Sequence, residues 1–155
     1  MAIYSQIMVA VDLTPDSLLI GQRGRAIAAA LGGALWILHV VEPIPPVVPI
    51  PPEPMAAAIV TSQAEILDLA QEQIGRLAEE LGVPATRCDV VVGDTKAQIV
   101  RVAADRRIDL IVIGSHERHG LAFLLKPTED VVVHEAPCDV LAIRLSEKSP
   151  KSKKK

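Results

Sequence analysis

Five short apolar runs separated by helical patterns are the feature that most constrains the fold of this 155-residue chain. The runs begin near residues 6, 34, 86, 110 and 139, and polar and apolar side chains hardly alternate along them. Strands have this pattern when helices cover both faces of a parallel sheet. We therefore predict an α/β fold: an open, mostly parallel five-stranded sheet with helices on both faces, forming one domain large enough to bury a core without metals or disulfides.

Turn and capping signals place the boundaries of these elements. Thr14-Pro15-Asp16 supplies an N-cap, a first-turn proline and an acid for the first helix, and Gly32-Gly33 ends it. A helix after the third strand begins at Asp94 or Thr95, both of which are capping residue types. The apolar positions of the first helix suit one buried face: Leu19, Ile20, Ile27, Ala30 and Leu31. The remaining predicted elements are strands at about 34–41, 86–92, 110–113 and 139–145 and helices at about 56–81 and 128–134.

Two segments are predicted to lie outside the regular elements. Seven of the residues from Pro43 to Pro54 are proline, so neither a helix nor a strand ladder can persist there. That segment is either a stiff connector or a lid or docking strip for a partner. Residues 146–155 contain five lysines and no apolar residue, which predicts a disordered tail that is either simply solvated or touches nucleic acid or a membrane.

Composition excludes several classes of function. Aromatic residues make up only 2% of the chain, whereas single-strand nucleic-acid binders and flavin sites rely on aromatic platforms. A net charge of −3 provides no broad basic face for a duplex, so no nucleic-acid partner is expected. No apolar run approaches a membrane span. Cys88 and Cys138 are not in a CxxC motif and are interpreted as core residues of a cytoplasmic protein in a reducing compartment.

The residues at the ends of two strands indicate where a ligand would bind. In open α/β sheets, small ligands occupy the crevice at the carboxyl ends of strands whose connections leave on opposite faces. Asp12 ends the first strand and Gly114 ends the fourth. If these strands are neighbours, a carboxylate and a bare backbone face one another across such a crevice.

Motifs along nearly the whole chain, to about Leu145, resemble the universal stress proteins. No single motif is specific, but the five occur in order at suitable spacing: residues 9–12 (VAVD), 38–43 (LHVVEP), 92–94 (VGD), 113–116 (IGSH) and 136–141 (APCDVL). The resemblance implies an adenine nucleotide alpha hydrolase-like fold with strand order 3-2-1-4-5. It also implies a homodimer, joined through the last strand at Val140–Ile143. Residues 1–145 would then form the universal stress protein domain and 146–155 the basic tail.

The resemblance also implies a nucleotide site. Many members bind ATP or AMP, with Mg²⁺ for ATP, through a G-x-x-G-x9-G-[ST] pattern after strand four, an Asp after strand one and a Val in strand two. The corresponding residues in this chain, with the two that follow the first glycine, are Asp12, Val40, Gly114, Ser115, His116 and Thr128. At the other two glycine positions stand Glu117 and Pro127, which add a charged side chain and remove a backbone N–H donor.

These departures predict weak or absent ATP binding. A phosphate at a helix N-terminus is held by free N–H groups and the positive end of the helix dipole, but Glu129 and Asp130 follow Thr128 at the start of the short helix. The opposite effect remains open, since flexible cations in the same loop can replace lost donors: His116, Arg118, His119 and Lys126. Alternatively, they are solvated charges that pair with nearby acids.

The predicted function is therefore a non-enzymatic, homodimeric stress-response domain that acts by association with itself or with a protein partner. The alternative is an ATP- or AMP-binding stress sensor that switches partner interactions through the loop 114–128. An enzyme is not expected, because the chain contains no Walker A sequence or other recognisable catalytic set. His39 is interpreted as a hydrogen-bonded core histidine, and His134 as a residue that suits the negative end of the last helix.

Overall fold

The computed structural model describes residues 3–44, 55–116 and 128–145. Strands and helices alternate along the chain, as the apolar runs predict. The strands are β1 (Gln6–Ala10), β2 (Ala34–Val41), β3 (Cys88–Val92), β4 (Leu110–His116) and β5 (Asp139–Leu145). The helices are α1 (Ser17–Leu31), α2 (Met55–Leu81), α3 (Thr95–Asp105) and α4 (Thr128–Glu135).

All five strands form one parallel sheet in the order β3-β2-β1-β4-β5. Strand β1 lies in the centre, where Val9 pairs with Ile37 of β2 on one side and with Val112 of β4 on the other. The predicted fold class and strand order are confirmed. Because β1 and β4 are neighbours, the adjacency on which the predicted crevice depends is also confirmed.

Alternating side chains of the strands fill two separate cores. Ile7 and Val9 of β1 face the layer of α1 and α2, whereas Met8 between them faces the layer of α3 and α4. All three side chains are essentially inaccessible to solvent, at 0–1% exposure. This two-sided burial explains why the strand sequences lack polar alternation.

Helix α1 differs from its prediction at its start and on its buried face. The helix begins at Ser17, later than predicted, and Asp16 occupies the N-cap without a side-chain hydrogen bond. Gly21 and Gly24 join Ile20 on the buried side, whereas Leu19 is exposed. The predicted face is correct for Ile20 and for Ile27, which packs against the core, but wrong for Leu19 and Ala30, which are exposed. The prediction counted large apolar residues, whereas here small residues allow the helix to lie close to the sheet.

The stop of α1 and the start of α3 agree with the sequence signals. Gly32 adopts the left-handed conformation at the C-cap of α1, and its N–H donates to Ala28 O. At α3, Asp94 rather than Thr95 is the N-cap, since its carboxylate accepts from Ala97 N at 2.9 Å. Strand β3 begins later than predicted because residues 85–87 form a 3₁₀ turn.

Residues 45–54 of the proline segment and the tail 146–155 lie outside the described residues, so the expectations for them stay predictions. Within the ranges that the structure describes, no helix combines the length and apolar character required to cross a bilayer.

Two helical glycines provide a matched test of the packing. A methyl group on Gly24 would come within 2.3 Å of Val9 Cγ1 in the core, whereas one on Gly75 of α2 would meet nothing within 4 Å. Alanine favours a helix over glycine by about 1 kcal/mol, but overpacking costs about 1–3 kcal/mol. We expect Gly75→Ala to raise the free energy of unfolding and Gly24→Ala to lower it, as measured by urea denaturation. Stabilisation by both substitutions would contradict the close contact between α1 and β1.

Candidate functional site

A cavity of about 360 Å³ opens at the carboxyl edge of the sheet. It lies where β2, β1 and β4 end, at the point where the strand order reverses, and the first residues of α3 and α4 also line it. The lining residues are Ala10, Val11, Asp12, Ile20, Leu38, His39, Val40, Glu42, Thr95, Ile99, Ile113, Gly114 and Thr128. The structure thus places a small-molecule-sized cavity at the position where ligands bind in this class of sheet.

Asp12 organises the turn between β1 and α1. One of its oxygens, Oδ1, accepts hydrogen bonds from Thr14 N at 3.1 Å, Thr14 Oγ1 at 2.7 Å and Ser17 Oγ at 3.3 Å. Partial desolvation tends to raise the pKa of the Asp12 carboxyl, but these hydrogen bonds outweigh it, and the pKa lies below its ordinary value. Asp12 is therefore held as a carboxylate and is poorly suited to act as a general base.

Glu42 follows β2 on the same edge and is fixed by the start of α3. Thr95 Oγ1 donates to Glu42 Oε1 at 2.7 Å, and Asp94 caps the adjacent backbone N–H of Ala97. Two carboxylates of the chain therefore lie at the positive end of the α3 dipole, where an anionic ligand would otherwise be stabilised. Sequence reasoning offered Thr95 only as a capping residue and did not assign Glu42 or Thr95 to the site, since nothing local links residues 53 positions apart.

The cavity wall on the α3 side is apolar. Leu38, Ile99 and Ile113 are 0–5% exposed, and Val40 is partly buried beside them. Such a surface suits a flat, uncharged ring, which gains from contact with branched aliphatic side chains.

Gly114 serves the packing of the protein itself. A Cβ at this position would lie 2.7 Å from both Ile20 Cδ1 and Leu145 Cδ1. Both contacts are with terminal methyl groups of buried side chains, so a side chain here would displace atoms of α1 and β5.

His39 is a half-buried histidine that forms a hydrogen bond with Val11, the residue that follows β1. Its Nδ1 lies 2.8 Å from Val11 O, and because a carbonyl oxygen only accepts, Nδ1 carries a hydrogen. The hydrogen bond agrees with its interpretation, but the side chain is only partly buried and also lines the cavity. His134 is exposed in the last turn of α4, where a cation would complement the helix dipole.

The structure brings together four of the six residues predicted for the site. Asp12, Val40, Gly114 and Thr128 line the cavity. Ser115 follows Gly114 on β4 and does not belong to the lining, and His116 ends that strand. Glu117 and Pro127, the two departures from the motif, lie outside the described residues.

The two cysteines do not belong to the cavity. Cys88 and Cys138 are free and partly buried, and burial raises the pKa of both thiols.

In residues 3–44, 55–116 and 128–145, no three His, Cys, Asp or Glu side chains are grouped so that they could hold a metal ion.

The hydrogen bonds to Asp12 predict a pH-dependent contribution to stability. A carboxyl whose pKa falls on folding stabilises the protein above the unfolded-state pKa, and this contribution is lost as the pH falls through the folded-state value. We expect Asp12→Asn to lower the free energy of unfolding at pH 7 by less than about 1 kcal/mol, since solvent screens the site. The difference from the unsubstituted protein should shrink as the pH falls below the ordinary value of 3.8.

Denaturant titrations across this pH range would measure the effect. Asp12→Asn in a Thr14→Val, Ser17→Ala background is the control, because the side-chain donors are then absent and the effect of the substitution should be smaller. A difference that does not change with pH would show that the charge of Asp12 does not stabilise the turn.

A model of the universal stress protein family matches residues 3–144. Universal stress protein A homolog 1 of Coxiella burnetii is 33% identical over 93% of this chain and 99% of its own length. Homolog 2 from the same organism is 32% identical over 92% of this chain and 96% of its own length.

Two solved structures share the architecture at lower identity. Universal stress protein UspA from Lactobacillus plantarum is 23% identical, covers 91% of this chain and 98% of its own, and superposes with a TM-score of 0.64. A universal stress protein solved in complex with cAMP is also 23% identical, covers 90% and 96%, and has a TM-score of 0.58. These likenesses show the fold, and the match over residues 3–144 together with the two Coxiella relatives shows that the chain belongs to the universal stress protein family.

Proposed function

We propose that this protein is a non-enzymatic, cytoplasmic universal stress protein that acts in the stress response as a homodimer and binds ATP weakly or not at all. In this proposal, residues 1–145 form the universal stress protein domain and residues 146–155 form a basic tail. The observation that carries the proposal is that the described lining of the cavity holds two carboxylates, Asp12 and Glu42, and no lysine or arginine.

The electrostatics of the cavity argue against tight phosphate binding. Asp12 and Glu42 both line it, and its described lining contains no lysine or arginine. The start of α4 carries Glu129 and Asp130 in the sequence directly after Thr128. A charge at a helix end is worth about 0.3–1 kcal/mol, whereas micromolar affinity requires about 8 kcal/mol in total. Several such losses together would move ATP affinity toward the millimolar range.

The two departures from the glycine motif also reduce the number of backbone N–H donors that a phosphate could use. Glycines allow a backbone to approach phosphate oxygens closely, and each backbone N–H in such a loop is a hydrogen-bond donor. Glu117 introduces a side chain and a negative charge, and Pro127 removes an N–H. This part of the proposal is based on the sequence alone.

A nucleotide-binding sensor is the second candidate. The cavity itself favours it, because its size, its apolar wall and its place on the sheet suit an adenine ring. The relative solved with cAMP is a further reason to consider it. In this version, ATP with Mg²⁺ or AMP would switch partner binding through the loop 114–128, with loop cations replacing the lost donors.

Dimerisation through β5 is supported by the exposure of that strand. β5 is an edge of the sheet, paired on one side with β4. Leu141 of β5 is 40% exposed and Val133 of α4 is 53% exposed, so large apolar side chains meet solvent beside an open strand edge. An uncovered apolar edge is a template for pairing with another chain, and a two-fold axis would allow two copies to cover each other.

Action without catalysis is supported by the state of the titratable groups. Both carboxylates of the cavity are engaged by hydroxyl groups of the protein, and the Asp12 carboxyl has a lowered pKa. Phosphate release from ATP over hours should match a protein-free sample. Release that Asp12→Ala abolishes would establish an enzyme instead.

Isothermal titration with ATP and Mg²⁺ tests the weakened site. We expect no saturation at low micromolar ATP for the natural sequence. The double substitution Glu117→Gly, Pro127→Gly should strengthen binding, because it restores the glycine pattern. Saturation at low micromolar ATP in the natural sequence would favour the sensor. If the folded double variant binds ATP no more tightly than the natural sequence, Glu117 and Pro127 are not the cause of the weak binding.

Sedimentation at micromolar concentration tests the dimer. The chain has a mass of 16.6 kDa, and we expect a species of twice that mass. Leu141→Glu should shift the population toward monomer, because two buried carboxylates would face one another near the two-fold axis. Leu69→Glu is the control, since Leu69 is an equally apolar residue, 54% exposed, on α2. A monomeric natural protein, or equal dissociation in both variants, would contradict the β5 interface.

A further inference from the structure

A second cavity lies between α2 and the edge strand β3. Its volume is about 500 Å³, within the range of small-molecule sites. It shares no lining residue with the cavity at the carboxyl edge. The lining comes from α2, from β3 and from the segment that joins them: Gln71, Ile74, Gly75, Ala78, Glu79, Val83, Ala85, Cys88, Asp89 and Val90.

Gly75 leaves space beside α2 that the described protein does not fill. It lies inside the helix, where glycine is less favourable than alanine, and its backbone is not in the left-handed region that would require glycine. A Cβ at Gly75 would meet no neighbouring atom of the described residues within 4 Å, whereas one at Gly21 or Gly24 of α1 would collide with a core side chain. Packing therefore accounts for the glycines of α1 but not for Gly75, whose missing side chain keeps the cavity open.

The floor of this second cavity is apolar. Ile74, Ala78 and Val83 belong to the buried core, at 2–8% exposure, and Val90 of β3 packs against them. A ligand that lies on these side chains removes its own apolar surface from water, which favours binding of an apolar body.

The rim of the second cavity carries hydrogen-bond acceptors. Gln71 and Glu79 stand four residues before and after Gly75, so they border the gap on the same face of α2. Both are exposed, and neither is engaged by another side chain in the part of the protein that the structure describes. Asp89 also lines the cavity, but Arg106 already binds its carboxylate at 2.7 and 3.1 Å. A carboxylate only accepts, so the free one of Glu79 selects a donor, and an ammonium group supplies both donors and the opposite charge.

The end of α2 attracts a cation to the same rim. The last turn of the helix contains no basic residue, although cations usually complement the negative end of a helix dipole. Arg76, earlier in α2, is paired with Glu72. Val83, which lines the cavity, follows two residues after the helix end, so the partial negative charge of the helix lies beside the carboxylate of Glu79.

We propose that the second cavity binds a small molecule with an apolar body and an ammonium group. The floor of core side chains takes the body, the gap at Gly75 admits it, and Glu79 binds the ammonium group. This site goes beyond the proposed function and does not depend on it.

NMR titration of the full chain with three probes tests the proposal. Phenylbutylamine, phenylbutanol and phenylbutyrate share one apolar body and differ in the head group. We expect the amine to bind more tightly than the alcohol, and the alcohol more tightly than the acid. The amide signals that shift should belong to residues 71–90 and not to Asp12 or Gly114, which line the other cavity.

Filling the gap tests where the probe binds. Gly75→Leu should abolish binding of the amine and should fold, because the space beside Gly75 is open. Ala64→Leu is the matched control, since Ala64 is exposed on α2 and does not line the cavity. Thermal unfolding verifies that each variant is folded.

Removing one charge tests the choice of head group. Glu79→Gln keeps the size of the side chain, and it should reduce the preference for the amine over the alcohol by about sixfold, the effect of one ion pair at about 4 Å in water. Glu80→Gln is the control, because Glu80 is the next residue, is also exposed and does not line this cavity.

Several results would overturn the proposal. They are equal binding of the three probes, unchanged binding by folded Gly75→Leu, and equal effects of the two glutamine variants. An unfolded Gly75→Leu would contradict the open space and with it the cavity. No binding of the amine at millimolar concentration, or shifts confined to the carboxyl-edge cavity, would also reject the site. None of these results bears on the ATP affinity or the mass of the dimer, which test the proposed function separately.

Discussion

The cavity depends on the pairing of β1 with both β2 and β4. Strands β2 and β3 lie on one side of β1 and strands β4 and β5 on the other, so the order reverses at the centre of the sheet. Connections then leave β1 and β4 toward opposite faces, and the edge between these strands stays open. Everything that defines the site follows from this arrangement, because it brings Asp12, Gly114 and the first residues of α3 and α4 to one place.

At the start of α3, the carboxylates of Glu42 and Asp94 lie where a bound anion can lie in other parallel sheets. The N-terminus of a helix offers unpaired N–H groups and a partial positive charge. At α3, Asp94 accepts from one of these N–H groups, and Glu42 is held beside them by Thr95. This arrangement stabilises the helix within the protein itself and leaves less favourable electrostatic energy for a ligand. The described residues of the site form an apolar cavity with carboxylates at its rim.

The glycines show how packing within the protein limits the space for a side chain. Gly114 stands where a nucleotide motif would begin, and a Cβ there would also lie 2.7 Å from Ile20 Cδ1 and Leu145 Cδ1. Gly24 likewise permits α1 to contact Val9 in the core. A glycine in a sequence indicates that a side chain is excluded from that position. Only the neighbouring atoms tell whether a ligand or another part of the protein excludes it.

The sequence by itself determined the fold class, the alternation of strands and helices and the bounds of β2 and β5. Those features depend on local periodicity and turn residues, and Gly32 and Asp94 act as their residue types predict. The tertiary structure alone decided the buried face of α1, the role of Gly114 and the pairing of Glu42 with Thr95. These depend on contacts between residues far apart in the chain, which periodicity does not encode, and small residues such as Gly21 and Gly24 carry no hydrophobic signal.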